Sequence, residues 1–565
     1  MYKFAIAALL GAAIVFPAVA PAQDLPVNLG SIHGDLQSDA QYYINDTETG
    51  AEQVDEEMRL NGYVNLIYTL GDFSAGARYE AYLNPILGFD DRYADGQGFA
   101  YRYATYTSDF IDVTAGDFYE QFGSGLILRA YEERLLGFDN AIDGLRVKVR
   151  PDDNITITGL IGRQRSFWNK SEGIIRGLDL DIDASGLFGD DGDVVLLLGG
   201  SMISRFQADD DPLYILPENV ASFAGRVTLG LGNFNLYTEY AFKSNDPAAT
   251  DVYFFPGDTS APLSNPSNYA YNEGNGLYVS TSYSEPGLGI SLSAKRVDKM
   301  DSRSDRAATA NNLNLNFLPP QSQTHTERLV TLFPYATQAN GEIGMQGSVV
   351  FNIPRGDGIG GRYGTDISLE YARLHPLERT PIDTFTYETG FFDAGRRLFD
   401  DFNIKLSRRF DKDLKVNLGY FRIAYNKDII EGKPNGSYGV ITSNIITSEI
   451  TYKITPVNSL RTELQYAISS QEFTGEPDAG DWAFALVELA LAPNWFFSIS
   501  DEYNLGHEDK KKRIHYLGMN ATYVKDQHRL QLTFARQREG IVCVGGVCRN
   551  VPAATGLLLT LASSF

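Results

Sequence analysis

The sequence predicts an all-β protein: a transmembrane, antiparallel, up-and-down β-barrel of about 24 strands, with short periplasmic turns and long extracellular loops. Three observations carry this. Apolar and polar residues alternate in short segments along the chain. The connections between those segments fall into two length classes that themselves alternate. The two ends carry an apolar leader and a terminal aromatic.

The leader comes first. Residues 1–22 read MYKFAIAALLGAAIVFPAVAPA, with Lys3 ahead of an apolar run from Phe4 to Phe16 and a small-residue stretch ending Ala20-Pro21-Ala22. This is the pattern of a secretory signal peptide, cleaved after Ala22. The run is too short for a retained anchor, since a spanning helix needs about 20 apolar residues. No Cys follows the cleavage site, which disfavours a lipid anchor. Residues 23–565 are then expected to form a single barrel in the outer membrane. The chain holds 33 Tyr, 33 Phe and 54 Gly, and no second apolar run of spanning length. It can still cross a membrane if a closed barrel pairs every backbone polar group.

The strands follow from period-2 alternation. In 459–468, Leu460, Thr462, Leu464, Tyr466 and Ile468 share one face, and Arg461, Glu463, Gln465 and Ala467 the other. Leu530, Leu532 and Phe534 oppose Arg529, Gln531 and Thr533 in the same way. A soluble sandwich also alternates, with its apolar face inside. Loop length separates the two folds. Short connections fall at 70–73, 108–110, 151–154, 231–233, 285–287, 410–413, 455–458, 492–494 and 525–527, with looser ones at 183–193 and 354–362. Long polar connections fall between them, among them 122–141, 243–275, 298–341 and 538–555. A sandwich has no reason to sort its loops by length. A barrel does, with both ends on the short-turn side.

A barrel of this size is wider than its own side chains fill. Its inward faces carry Arg, Lys, Glu, Gln, Ser and Thr, which suits water, and the mixed signs argue against strong selection for one ion charge. The favoured function is an outer-membrane channel passing or binding solutes. The rival is a structural or assembly barrel, an adhesin or a partner of a secretion complex, supported by the length of 243–275 and 298–341. An enzyme is disfavoured: there is no G-x-S-x-G or H-E-x-x-H, and the six His are scattered at 33, 325, 375, 507, 515 and 528. The first strand is expected near Ser31, which leaves no room for the plug domain of an energy-coupled receptor, although a protein partner could occupy the lumen or the loops.

The most unusual segment is 116–146, GDFYEQFGSGLILRAYEERLLGFDNAIDGLR, the third long connection. It combines Gly123-Ser124-Gly125 with Glu120, Arg129, Glu132, Glu133, Arg134, Asp139, Asp143 and Arg146. By analogy with smaller general porins, it either folds inward and lines a constriction with opposed charges, or stays outside with surface ion pairs. Cys543 and Cys548 flank Gly545-Gly546. A disulfide is the simplest reading in an exported chain, ahead of free thiols; a metal needs more ligands. The net charge of −24 makes nucleic acid an improbable partner. The Asp runs at 90, 91 and 95, at 190, 191 and 193, and at 209–211 read as solvated loops without EF-hand spacing. No metal or cofactor is expected.

Phe565, preceded on its face by Ser563, Leu561, Leu559 and Leu557, resembles the signal read by the barrel-assembly machinery. Lipid and lipopolysaccharide are the other expected partners, and Trp482 and Trp495 are expected in the interfacial girdles. The blocks 116–146, 325–346 (HTERLVTLFPYATQANGEIGMQ) and 543–553 (CVGGVCRNVPA) resemble an uncharacterised family of large porin-like outer-membrane barrels of Bacteroidota-type bacteria. The similarity runs along the mature chain. It implies the barrel and its location, and no substrate.

Overall fold

The computed structural model describes residues 29–565 except 52, 189–191, 193, 213, 248–270, 309–310, 357, 384–385, 475–479 and 545–546. The expected leader, the Asp190, Asp191 and Asp193 run and most of the 243–275 connection lie outside the described residues.

The chain forms a closed antiparallel barrel of 24 strands in which each strand pairs with its sequence neighbour. The strands run from 8 to 14 residues, lengths that suit tilted membrane crossings. The predicted short turns all join hairpins, and the long connections emerge together at the opposite rim. No helix among the described residues is long and apolar enough to cross a membrane.

Closure depends on the two ends. The first strand, Ser31–Tyr43, pairs with the last, Ala554–Ser564. Phe565 then exchanges two backbone hydrogen bonds of 2.9 Å with Gly34. Its ring lies over Gly34, where a Cβ would sit 2.6 Å from the aromatic carbon, so the seam accepts no side chain there.

The alternation resolves as a barrel requires. Leu464 and Ile468 point outward and are 56% and 53% exposed, whereas Gln465 between them faces inward at 4%. The outer surface is thus apolar and the lumenal wall polar, the reverse of a sandwich. Trp495 fits the girdle expectation, exposed beside Tyr523 at a ring distance of 4.7 Å. Trp482 does not. It is 6% exposed, faces the lumen and stacks on Tyr516. It lies at the outer end of its strand, where an inward-folded segment covers the wall and gives an indole an apolar place to bury.

Candidate functional site

The lumen is the candidate site, and among the described residues two extracellular connections turn back into it. The first insert covers residues 119–141. Gly123 adopts φ 55° and lets the chain turn directly over the buried Glu239, where a Cβ would sit 2.6 Å from a carboxylate oxygen. The Ser124 amide then donates to Glu239 Oε2 at 2.8 Å. Phe122, Leu126, Ile127 and Leu128 bury against inward-facing Leu160, Ile175, Ile203, Ala241 and Val297 of the wall.

Charge fastens the same insert. Asp139 accepts from Arg165 at 2.7 Å and from Arg78. Glu132 pairs with Arg78 at 2.9 Å and with Arg134 at 2.7 Å. Glu80 on the wall joins both guanidiniums, at 2.7 Å to Arg78 and 2.6 Å to Arg165. Burial pushes Asp139 up, but Arg165 and Arg78 outweigh it and hold the carboxyl below the usual range. Burial dominates at Glu132 and raises it. Oxygens of Glu80, Glu132 and Asp139 lie within 4.8 Å of one another, close enough for a cation. Arg78, Arg134 and Arg165 already neutralise them, so the cluster is an ion-pair lock.

The remaining residues singled out in 116–146 are spread around this lock. Glu120 pairs with Arg146 at 3.2 Å and approaches Lys148 at 3.9 Å. Arg129 lies between the rings of Tyr131 and Phe317, at 4.4 and 4.0 Å from their centres. Glu133 caps the short turn Arg134–Leu136 by accepting from the Leu135 amide at 3.3 Å. Asp143 pairs with Lys170 at 3.1 Å. Much of the charge that marked the segment is spent on protein partners.

The second insert covers residues 299–340, and sequence reasoning did not identify it as inward-folded. Leu329, Val330 and Tyr335 bury against Leu374, Phe399, Phe421, Tyr425 and Ile445 of the wall. The Leu329 amide donates to Gln465 Oε1 at 2.8 Å. Ion pairs frame the apolar anchor: His325 with Asp401 at 2.6 Å, Glu327 with Lys405 at 3.0 Å, and Arg328 with Glu502. The two inserts also interlock, through Arg129 N to Leu315 O at 2.8 Å and Phe317 N to Gly125 O at 2.9 Å.

A signal for the second insert was present. Alternation fails at the outer ends of the covered strands. In Leu414–Asn426, Phe421, Ile423 and Tyr425 are apolar on the inward face, where lower positions such as Asn417 are polar. An apolar inner wall needs a cover.

Cys543 and Cys548 form a disulfide in a hairpin of Gly540–Val544 with Val547–Val551. The hairpin rises from the wall beside the seam and reaches the first insert, where Arg549 donates to Leu136 O at 2.8 Å and covers the Phe89 ring at 4.8 Å. Asn311, from the second insert, donates to Cys548 O. Beneath the second insert, on the short-turn side, lies a cavity of about 810 Å³ bounded by Glu327, Arg328, Lys405, Asn417, Arg461 and Glu463.

Three solved structures are similar to this chain over most of its length. The siderophore receptor PirA from Pseudomonas aeruginosa aligns at 10% identity over 95% of this chain and 80% of that one, with a TM-score of 0.41. The P pilus usher (PapC) translocation pore aligns at 10% identity over 94% of this chain and 99% of its own, with a TM-score of 0.37. The outer membrane protein opdK from Pseudomonas aeruginosa aligns at 10% identity, 95% and 99% coverage and a TM-score of 0.35. At these values the likenesses are to barrels of this kind and bear on no mechanism. No curated protein matches the chain. A family model described as "Family of unknown function (DUF6029)" matches residues 1–565.

Proposed function

The chain belongs to this family of unknown function, and from that premise we propose that it is an outer-membrane channel whose lumen is narrowed by its own two inserts. The observation that carries the reading is the reversal of sidedness: an apolar outer surface around a polar wall, with chain from the extracellular rim folded inside it. Such a wall supports water and solutes rather than a packed core. The inserts make passage narrow and selective. Arg129 and Arg134 of the first insert, with Glu120 and Arg146 at its base, contribute to that selectivity together with the wall the inserts leave open. An assembly or adhesin role would leave the polar wall below the inserts without a task.

Purified protein in planar bilayers tests this. Discrete openings are expected, smaller than an unobstructed barrel of this diameter would give, and Arg129→Ala with Arg134→Ala alters their size or ion preference. A correctly folded barrel that stays electrically silent sinks the reading.

A further inference from the structure

Resting on that channel reading and taking it further, we propose that solutes pass along one sector of the lumen, the wall on either side of the closing seam, and that this sector favours cations and neutral hydroxylated solutes over anions. The inserts anchor to the inner wall from strand Phe73–Leu83, through Arg78 and Glu80, round to strand Trp495–Tyr503, through Glu502. Inner-wall residues under them, such as Arg165, Glu239 and Lys295, are buried. Five strands remain across the seam: His515–Lys525, His528–Gln537, Ala554–Ser564, Ser31–Tyr43 and Met58–Leu70. Their inner faces carry Asn520, Gln531, Thr533, Thr560, Asp39 and Asp35, each partly exposed although none faces lipid. Exposure on the inside of a barrel is exposure to lumenal water.

The carboxylates of this sector differ from several under the inserts, which meet guanidinium groups as Glu80 and Asp179 do. Here Asp39 accepts from Thr560 Oγ1 at 2.7 Å and Gln37 Nε2 at 2.9 Å, and Asp35 from Asn65 Nδ2 at 2.8 Å. These donors are neutral and supply no opposite charge to either carboxylate. Cations near them have other partners as well: Arg134 is tied to Glu132 at 2.7 Å while also feeling the charge of Asp35, Arg59 donates to Pro85 O at 2.9 Å, and Arg529 donates to Gln531 near the short-turn edge. Asn520 and Gln531 donate to Thr533 Oγ1 at 2.8 and 3.1 Å, forming a row of amide and hydroxyl groups that can exchange hydrogen bonds with a sugar-like solute. Carboxylates hydrogen-bonded to neutral donors in a narrow, low-dielectric conduit raise the local concentration of cations and repel anions. The chain's net charge of −24 acts in the same sense.

Reversal potentials in a potassium chloride gradient test this on the full-length protein. The wild type is expected to be cation-selective, and Asp35→Asn or Asp39→Asn to lower the cation-to-anion permeability ratio by about sevenfold each, since one charge at about 7 Å from the path in water changes cation and anion occupancy about threefold apiece in opposite senses. Thr533→Cys supplies an independent reading, since both native cysteines are in the disulfide. A charged, membrane-impermeant thiol reagent should block current through that variant. Openings with no cation preference, unchanged by either Asn variant and by the reagent, overturn the seam path and leave the channel standing. A folded barrel without openings overturns the channel itself.

Discussion

Residues 119–141 and residues 299–340 leave the same rim and pack on the same inner wall, yet they are held differently. The first insert adds to its apolar anchor of Phe122, Leu126, Ile127 and Leu128 a buried ion group in which Asp139 and Glu132 meet Arg78 and Arg165 around Glu80. The second has its apolar anchor, Leu329 and Val330 seated among Phe421, Tyr425 and Ile445, with separate ion pairs placed around it instead of one shared buried group. A charged anchor announces itself in a loop sequence, whereas an apolar anchor is two or three residues in a long polar segment. The difference also separates their failure modes. Losing one member of a buried ion group strands the others, and losing an apolar anchor leaves a cavity.

The largest expected effect is at the first insert. Arg165→Ala leaves Glu80 and Asp139 to Arg78 alone in a buried setting and should cost about 3–5 kcal/mol, as broken buried pairs do. Denaturant unfolding in micelles reads it. A loss under about 1 kcal/mol would mean that the group is solvated and holds nothing. Leu329→Ala should follow at about 2–5 kcal/mol for a buried leucine. Its signature is noisier, larger openings with the first insert still protected from proteolysis. Loss of protection at both inserts would show that they unfold as one unit and would erase the contrast drawn between them.

The smallest effect is a pH dependence confined to the first insert. Asp139 has a folded pKa below its ordinary value, so its contribution is present above the unfolded value of about 4 and fades as pH falls through the lower folded value. Glu132 has the opposite shift. It takes up its proton first in the folded state and adds stability as pH falls through its own raised value. The first insert should therefore hold through mildly acid conditions and loosen below about pH 4. Protease accessibility of 119–141 against pH checks this. Release near neutrality would remove Asp139 from the lock.

Much of the scaffold was legible because its signals are local. Alternation sets which side chain of each strand faces lipid, and turn residues set where each hairpin closes, so neither needs knowledge of distant chain. The charged segment 116–146 was legible for the same reason, since its acids and bases are neighbours in sequence. Which partners they take was not. Arg78 and Arg165 come from two strands of the wall, and no spacing rule connects them to Asp139. Trp482 was misplaced because the girdle rule assumes that a strand-end tryptophan faces out, and an insert had made the inner face apolar there.

The sequence by itself determined a chain of alternating segments sorted by loop length, and with it the barrel, its strand number and its lipid-facing side. Only the tertiary structure decided which long connections turn inward, because that choice depends on apolar patches assembled from strands far apart in sequence. Leu329 finds Phe421 and Ile445, and Phe122 finds Ile203 and Val297, only once the cylinder has closed.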